Sequence, residues 1–231
     1  IQSDVIKPIE FPVPDRPAGV TDVVNLAVAP IDTVRVGFIG LGMRGPGAVK
    51  RFTHLEGVKI VALCDIHPER VEDCQKVLRK AGLPEATDYS GSADAWKKLC
   101  ERDDIDLVYI STDWDTHVPM SLYAMEHGKH VACEVPIALT VEDCWKLVDM
   151  AEKTRLHCMM LENCCYDFFE MATLNMAQKG ILGEIVHAEG AYIHDLRQLN
   201  FEDPARGGYN NWWRLEYNTH HSGNPYATHG L

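Results

Sequence analysis

The stretch VGFIGLGMRGPGAVKRF (36–52) decides the fold of this 231-residue chain. It begins as an apolar run of the kind that forms a strand buried on both faces of a sheet. The run ends at a cluster of three glycines, Gly40, Gly42 and Gly45, and residues with helical spacing follow. The stretch therefore predicts a strand, a tight turn and a helix whose first backbone N–H groups face a ligand.

The same alternation continues along the chain. Further apolar runs predict strands at 59–65, 106–112, 129–135 and 157–163, besides the first strand at 34–40. Segments with helical spacing lie between them, at 46–56, 68–81, 92–101, 116–127 and 141–154. Strands that alternate with helices in this way indicate an α/β protein with a Rossmann-like, doubly wound parallel sheet.

The glycine turn and the end of the second strand together predict a dinucleotide site. The three glycines let the backbone turn sharply and approach a pyrophosphate at the helix N-terminus. Asp65 ends the next strand, twenty residues after Gly45, where a carboxylate can accept hydrogen bonds from both ribose hydroxyls of an adenosine. The same charge repels a 2′-phosphate, so the sequence predicts NAD rather than NADP as the cofactor.

Other strand ends carry polar and aromatic side chains, which the edge of a parallel sheet brings together. They are Trp114 and His117 after 106–112, Glu134 in 129–135, and Glu162 and Asn163 at the end of 157–163. Trp114 can pack on a flat ring and His117 can donate a hydrogen bond, although a Trp–His pair in a loop is often simple packing. An unpaired carboxylate is costly in an apolar interior, so Glu134 and Glu162 are predicted to line a cofactor crevice.

The two ends of the chain differ from this middle part. Residues 1–33 are rich in Pro, Val and Asp and predict an extended arm that lies over the body. Residues 34–181 form the predicted NAD-binding domain. After a helical stretch at 166–179, residues 183–196 alternate as one long half-exposed strand, so 182–231 is predicted to begin an α+β domain with an open-faced sheet. We expect the chain to be one part of a longer protein.

Composition excludes several classes of partner. The net charge of −12 and the pI near 5.3 argue against nucleic acid, which attracts basic surfaces. The sequence contains no run of eighteen apolar residues, so no membrane span is predicted. The eight cysteines show no zinc spacing and are predicted to be free. His220 and His221 lack a third ligand at matching spacing, so no metal site is predicted.

Four motifs taken together resemble the Gfo/Idh/MocA oxidoreductase family. They are GLGMRG (40–45), the distal Asp65, S-T-x-x-x-T-H (111–117) and E-V-P (134–136). The usual third motif of that family is E-K-P, in which the lysine transfers a proton. Val135 stands at the position of that lysine here, and a valine cannot carry a proton.

Further motifs are similar to those of one branch, family 109 of the glycoside hydrolases. They are W-D-T-H (114–117), E-N-C-C-Y (162–166), A-Y-I-H-D (191–195), W-W-R (212–214) and N-P-Y-A-T-H-G-L (224–231). The resemblance runs from about Val34 to the end of the chain. Members of this branch are NAD-dependent enzymes known for α-N-acetylgalactosaminidase activity, so the resemblance implies a small glycoside as substrate.

The resemblance also implies roles for individual residues. The cofactor contacts that it implies are Met43, Arg44, Asp65, Trp114, Thr116, His117, Glu134, Val135 and Asn163. The sugar contacts that it implies are Tyr192, Arg214, Tyr226 and His229. Proton transfer is implied for Tyr192, His194, Tyr226 and His229, with Tyr192 and His194 on the C2 and C3 side of the sugar. Two residues apart on one strand, Tyr192 and His194 would share a face.

The chemistry that the resemblance implies is hydrolysis without net redox change. NAD⁺ takes hydride from C3 of the sugar, the C2 proton becomes acidic, and a base removes it as the aglycone leaves. Water then adds and the hydride returns. Two alternatives remain open: a plain NAD-dependent sugar dehydrogenase, which would release NADH and which Val135 disfavours, and a non-catalytic protein that binds NAD or sugar.

Two further expectations concern the cell and the assembly. The chain starts at Ile1 rather than Met, which suggests an upstream segment such as a secretion signal. A periplasmic or secreted bacterial location is therefore favoured over a cytoplasmic one. The exposed face of the second-domain sheet is a common association surface in this superfamily, which makes a homo-oligomer an open possibility.

Overall fold

A parallel sheet of six strands lies at the centre of the protein in the computed structural model, which describes residues 15–209, 212–223 and 226–230. The strands are β1 Val34–Ile39, β2 Val58–Asp65, β3 Thr87–Ser90, β4 Leu107–Ile110, β5 His130–Glu134 and β6 Cys158–Leu161. Their spatial order is β3-β2-β1-β4-β5-β6. This order confirms the predicted doubly wound, Rossmann-like fold.

Helices follow the strands along the chain. They are α1 Gly45–Phe52, α2 Pro68–Lys80, α3 Ala95–Cys100, α4 Trp114–Glu126, α5 Val141–Thr154, α6 Phe168–Gln178, α7 Arg197–Phe201 and α8 Trp213–His220. Two 3-10 turns, Pro204–Arg206 and Ala227–Gly230, lie near the end of the chain. Thr140 starts α5 as expected, because its hydroxyl accepts a hydrogen bond of 3.1 Å from the Asp143 backbone.

The alternation of side chains along each strand builds two apolar layers. In β4, Tyr109 faces the layer that contains Val49 of α1 and Leu78 of α2. Val108 faces the opposite layer, in which Leu99 of α3 is fully buried. Helices therefore cover both faces of the sheet, which explains why its strands read as continuous apolar runs.

The strand order places a crevice at one edge of the sheet. The chain proceeds from β1 to β2 on one side and later returns to β4 on the other side of β1. The connections after β1 and β4 therefore diverge to opposite faces, and the carboxyl ends of these two strands leave a gap between them. Such gaps are the usual ligand sites of open α/β sheets.

The sequence does not predict one of the strands, and two helices begin at other residues than predicted. The edge strand β3 has the sequence TDYS, which contains no apolar run, and it pairs only with β2 among the described strands. Helix α4 begins at Trp114 rather than at 116, so Trp114 lies in its first turn. Helix α3 begins at Ala95, three residues later than the spacing at 92–101 suggests.

The described part of the N-terminal arm lies on α5. The guanidinium of Arg155, just after α5, donates to the backbone oxygens of Thr21 and Asp22 at 2.5 and 3.0 Å. Arg16 pairs with Glu152 of α5 and stacks on Trp145, with 5.0 Å between its guanidinium carbon and the ring centroid. Ion pairs and stacking thus fasten a segment that has no secondary structure of its own.

The predicted strand at 183–196 is wrong. The structure assigns no strand to these residues, which have an irregular backbone between α6 and α7. A strand needs a neighbouring strand for its hydrogen bonds, and the described residues place none beside this segment. Val186 and Ile193 are accordingly 90% and 93% exposed. The sheet face expected to support self-association is therefore not formed by the described residues.

All eight cysteines are free. Burial raises the pKa of Cys64 to about 12 and that of Cys74 to about 11, so both stay as thiols that fill the core. Cys164 and Cys165 are exposed and unlinked. Among the described residues, every helix is too short or too polar to cross a bilayer.

Candidate functional site

The glycine turn has the geometry that a dinucleotide requires. Gly40 has φ +89°, and a Cβ there would lie 2.5 Å from the backbone oxygen of Ser111, so a side chain would collide with the end of β4. A Cβ on Gly45 would collide with the backbone oxygen of Gly40. A Cβ on Gly42 would meet only the Arg70 guanidinium, at 3.6 Å. The outer face of the turn is therefore open at Gly42, where a phosphate can approach.

The start of α1 adds positive potential to this opening. No side chain caps the N-terminus of α1, and a proline in its first turn has no N–H to satisfy. Free N–H groups and the helix dipole favour an anion at this place. Met43 and Arg44 lie exposed on the turn beside it, and their contact with a cofactor stays a prediction.

Asp65 lies at the predicted position and is 6% exposed. Its Oδ2 accepts a hydrogen bond of 2.7 Å from the Leu41 backbone, and its Oδ1 accepts one of 2.9 Å from the His67 backbone. The Arg70 guanidinium approaches both oxygens at 3.4 and 3.5 Å. The carboxylate is thus fixed next to the glycine turn. Sequence reasoning did not predict its contact with Arg70.

Trp114 and His117 do not meet the crevice as the sequence suggests. The Trp114 side chain is 4% exposed, because its ring is surrounded by Trp213, Tyr217 and Tyr226, with centroids 4.7, 4.9 and 5.3 Å away. A flat cofactor ring cannot stack on it in this arrangement. The expected stacking surface is covered by aromatic residues of the chain itself.

His117 links α4 to the loop after β5. It is 1% exposed, and its Nδ1 and Nε2 lie 2.8 and 3.0 Å from the backbone oxygens of Pro136 and Thr112. Burial lowers the pKa of His117 although both carbonyls favour the charged ring. Both ring nitrogens face backbone oxygens in this arrangement, and the contact of His117 with a cofactor stays a prediction. Thr116, half-buried beside it, donates to the Asp113 backbone at 2.7 Å.

Glu134 is held by a residue that sequence reasoning missed. The Tyr109 hydroxyl donates a hydrogen bond of 2.6 Å to Oε1 of Glu134. Burial, then the contact with Glu134, raises the pKa of Tyr109, so the phenol remains a donor. The Tyr109 ring stacks on Phe38 at 5.0 Å. A tyrosine within an apolar strand needs a partner for its hydroxyl, and this could have been the signal.

The residue after Glu134 is Val135, which cannot act as an acid or a base. Val135 is 7% exposed at the end of β5, where the resemblance implies that other members carry lysine. The side chain fills apolar space at the sheet edge and offers no proton. Any proton transfer at this edge therefore depends on residues from other segments.

The four residues expected to transfer protons gather in one cluster. The Tyr192 and Tyr226 rings each lie 4.8 Å from the His229 ring, and 5.8 Å from each other. The Tyr192 hydroxyl lies 3.3 Å from Nδ1 of His194. The cluster lies above β6, because His229 contacts Glu162, the residue that follows this strand.

Glu162 and His229 form a close pair. Nδ1 of His229 hydrogen-bonds to Oε1 of Glu162, and Asn163, which is exposed, donates its backbone N–H to the same oxygen at 2.8 Å. Burial by itself raises the pKa of Glu162, but the nearby Thr228 hydroxyl and the hydrogen bonds from Asn163 and His229 outweigh it and hold the pKa below its usual value. An ionised carboxylate only accepts, so Nδ1 carries the proton and Nε2 is left as a base. Glu162 was expected to contact the cofactor, but here its partner is His229.

Arg214 lies in an aromatic cage and is 5% exposed. Its guanidinium carbon lies 4.6 Å from the ring centroid of Tyr226 and 5.2 Å from that of Trp114. Its Nη1 donates to the Tyr209 hydroxyl at 2.6 Å, whereas its Nε has no partner among the described residues. A buried donor without a partner is expensive. This arginine is therefore placed to bind an acceptor.

A cavity of about 320 Å³ adjoins the cage and is lined by Tyr192, His194, Arg214 and Tyr226 among others. Burial raises the pKa of Tyr226 in spite of the nearby Arg214, so its hydroxyl stays protonated. The cavity thus offers phenols, imidazole and guanidinium, which are groups that bind sugar hydroxyls and amide oxygens. A larger cavity of about 460 Å³ between α4, α5 and α8 has only Trp114 among the predicted site residues.

Two protein families match this chain, and the boundary between the two matches lies between β6 and α6. Residues 34–162 match the family described as the Gfo/Idh/MocA oxidoreductase family with an NAD-binding Rossmann fold. Residues 166–231 match the C-terminal domain of glycosyl hydrolase 109. The first match ends after β6 and the second begins just before α6.

Curated relatives carry the same family name. A glycosyl hydrolase family 109 protein from Bacteroides fragilis is 64% identical over 99% of this chain and 48% of its own length. One from Porphyromonas gingivalis is 61% identical over 97% of this chain and 47% of its own length. A Bacteroides fragilis protein named alpha-N-acetylgalactosaminidase is 60% identical over 91% of this chain and 49% of its own length. The chain spans about half the length of these relatives.

Solved structures share the fold. Scyllo-inositol dehydrogenase from Lactobacillus casei, solved with NAD(H) and scyllo-inositol, has a TM-score of 0.58 at 20% identity. The alignment covers 66% of this chain and 43% of that protein. Myo-inositol 2-dehydrogenase from Lactobacillus plantarum has a TM-score of 0.58 at 23% identity, over 67% and 43%. With the sheet order, the motifs and the family matches, the chain belongs to the Gfo/Idh/MocA oxidoreductase family, in its glycosyl hydrolase 109 branch.

Proposed function

We propose that this chain carries the NAD site and part of the sugar site of a glycosidase that cleaves α-linked N-acetylgalactosamine. The observation that carries the proposal is the Glu162–His229 pair, which provides an oriented base at the sheet edge where Val135 offers none. The name of one relative, 60% identical, supports the choice of sugar. Activity is proposed for the protein to which these residues belong.

The residues that would hold NAD are those of the glycine turn, Asp65 and the end of β5. The open face at Gly42, the uncapped start of α1 and the fixed carboxylate fit a pyrophosphate and an adenosine ribose. Glu134, oriented by Tyr109, is the carboxylate available to the second ribose. Bound at this edge, NAD⁺ supplies reversible acceptance of hydride from C3 of the sugar.

The base is His229. Because Nδ1 is held by ionised Glu162, Nε2 keeps its lone pair, and the ring lies 4.8 Å from the rings of Tyr192 and Tyr226. A carboxylate behind an imidazole fixes the tautomer and stabilises the charge that forms when the ring takes a proton. His229 can therefore remove the C2 proton or relay one from a hydroxyl through Tyr192.

The remaining groups bind and donate. Tyr226 keeps its proton because burial raises its pKa, so it can donate to a hydroxyl or to the departing oxygen. Arg214 has an unpaired Nε near the cavity, where the acetamido oxygen of the sugar is a fitting acceptor. His194 is exposed beside Tyr192 and completes the polar wall. None of these roles needs the paired carboxylates of ordinary glycosidases.

The test is incubation of the protein with an aryl α-N-acetylgalactosaminide. We expect release of the phenol without added NAD and without lasting accumulation of NADH. Phenol release that requires stoichiometric NADH formation would instead identify a sugar dehydrogenase. Binding of NAD without any turnover would identify a non-catalytic protein. An aryl α-galactoside is the matched control, because it lacks the acetamido group that Arg214 is proposed to bind.

A further inference from the structure

The carboxylate of Asp65 is not alone at the ribose end of the proposed NAD site. Its two backbone hydrogen bonds, from Leu41 and His67, fix its orientation and use one lone pair on each oxygen. The side of the carboxylate that remains faces Arg70, whose Nη1 lies 3.4 and 3.5 Å from the two oxygens. The Arg70 side chain is 25% exposed and that of Asp65 is 5% exposed, so solvent reaches the ion pair from the arginine side.

Arg70 also lies against the glycine turn. The nearest atom to a Cβ built on Gly42 is Nη1 of Arg70, at 3.6 Å. The guanidinium therefore spans the distance between the phosphate-binding turn and the ribose-binding carboxylate. Its contacts with Asp65 are at the outer limit of hydrogen bonding, so a ribose diol can displace them without breaking a short bond.

The electrostatic consequence concerns the 2′ position of the ribose. An isolated Asp65 would repel a 2′-phosphate strongly, which is the usual basis for NAD preference in this fold. A guanidinium within 3.5 Å neutralises much of that charge. It also supplies a planar fork of donors suited to phosphate oxygens.

We propose that Arg70 determines the choice between NAD⁺ and NADP⁺ at this site, by offsetting the repulsion that Asp65 exerts on a 2′-phosphate. The chain then discriminates against NADP⁺ only weakly. This inference rests on the nucleotide site of the proposed function, but it does not depend on any glycosidase activity.

The experiment measures the dissociation constants of NAD⁺ and NADP⁺ by calorimetry, with the full chain freed of bound nucleotide. The quantity of interest is the ratio of the NADP⁺ constant to the NAD⁺ constant. We expect Arg70→Ala to raise this ratio by about tenfold, the effect of one close charge pair at a partly exposed place. Arg70→Lys keeps the charge and should leave the ratio within about twofold of the unmodified chain.

Arg79→Ala is the matched control. Arg79 lies on the same helix and pairs with Glu72 and Glu85 instead of Asp65, so its loss changes the net charge equally and should leave the ratio unchanged. If Arg70→Ala binds both nucleotides with an unaltered ratio, the proposal is overturned while the NAD site stands. If Arg70→Ala does not fold, Arg70→Gln is measured in its place with the same expected rise. If the unmodified chain binds neither nucleotide, the proposed function itself fails.

Discussion

Nδ1 of His229 hydrogen-bonds to the carboxylate of Glu162, 67 residues earlier in the chain. The contact joins the end of the parallel sheet to the last described turn, Ala227–Gly230. It gives the protein an imidazole with a fixed tautomer at the sheet edge, where the residue after the neighbouring strand β5 is Val135, which carries no proton. Glu162 therefore acts through His229 as a positioning residue.

The first prediction concerns this pair. Glu162→Gln should lower kcat for an aryl α-N-acetylgalactosaminide by about 100-fold with little change in KM, because the base loses its orienting charge. The acid limb of the pH–rate profile should also change, since the Glu162 carboxylate, whose pKa lies below its usual value, no longer titrates in the variant. Glu162→Asp should restore part of kcat. Glu189→Gln changes an exposed carboxyl and serves as the control. An unaltered pH profile in Glu162→Gln would show that the pair is only structural.

The second prediction separates two glycines of the same turn. Gly40→Ala should destabilise the protein by about 1 to 3 kcal/mol, because φ is +89° and the new Cβ meets the Ser111 oxygen. Gly42→Ala should leave the thermal midpoint unchanged, because its Cβ makes only an ordinary contact of 3.6 Å with the Arg70 guanidinium, but it should weaken NAD⁺ binding, because the methyl group occupies the face where a phosphate approaches. Thermal unfolding with and without NAD⁺ measures both effects. Gly82→Ala, with φ +71° and no neighbour within 4 Å, isolates the backbone strain. Equal melting losses for Gly40→Ala and Gly82→Ala would remove the role assigned to Ser111.

The third prediction concerns the hydroxyl of Tyr109. Tyr109→Phe keeps the ring stacked on Phe38 but removes the 2.6 Å hydrogen bond to Glu134. We expect a loss of about 1 to 3 kcal/mol in the free energy of unfolding, typical of a hydrogen bond to a charged group. NAD⁺ affinity should fall severalfold, because Glu134 is then free to turn away. Tyr89→Phe, a change on the edge strand β3, which β2 and β1 separate from β4, provides the comparison. Unchanged affinity would show that Glu134 is not oriented through Tyr109.

The fourth prediction concerns pH and the opposite edge of the sheet. Asp106 accepts hydrogen bonds from the Arg35 side chain at 2.9 and 2.6 Å, and this contact lowers the pKa of Asp106 below its ordinary value. A lowered pKa in the folded state stabilises the protein above the ordinary aspartate pKa, and that gain is lost as pH falls through the folded value. Asp106→Asn should therefore destabilise the protein by about 1 kcal/mol at neutral pH.

Urea unfolding at pH 7 and at pH 3 tests this expectation. The difference between Asp106→Asn and the unmodified chain should shrink at the lower pH, because the carboxyl is then increasingly protonated in both states. Asp103→Asn changes a neighbouring aspartate that contacts Arg35 through its backbone oxygen, and should show no such pH dependence. A constant difference across the pH range would contradict the role of the ion pair.

Much of the sheet could be predicted because its signals are local. The run into Gly40, the glycines and Asp65 lie within one β–α–β unit, and periodicity alone places β1, α1 and β2. The strand β3 was missed because an edge strand of four polar residues carries no apolar run. The strand at 183–196 was wrong because alternation shows that a segment can have two faces, but not that another strand lies beside it.

The site was predictable in its members but not in their contacts. Tyr192, His194, Tyr226 and His229 do gather, as the resemblance implies. The contacts between these side chains depend on distances across the fold. Glu162 proves to serve His229, Trp114 is enclosed by the chain's own rings, and Arg70 covers Asp65. Spacing in sequence carries no information about these through-space partners.

The arm that lies on α5 bears on where this folding unit begins. Glu152 is 5% exposed, and its carboxylate is compensated by Arg16, well before the first strand at Val34. A chain that began at Val34 would keep every described strand and helix. It would nevertheless leave the buried carboxylate of Glu152 without its partner. A domain boundary placed at the first strand would therefore remove a residue that the folded protein needs. We expect expression of soluble material to require Arg16.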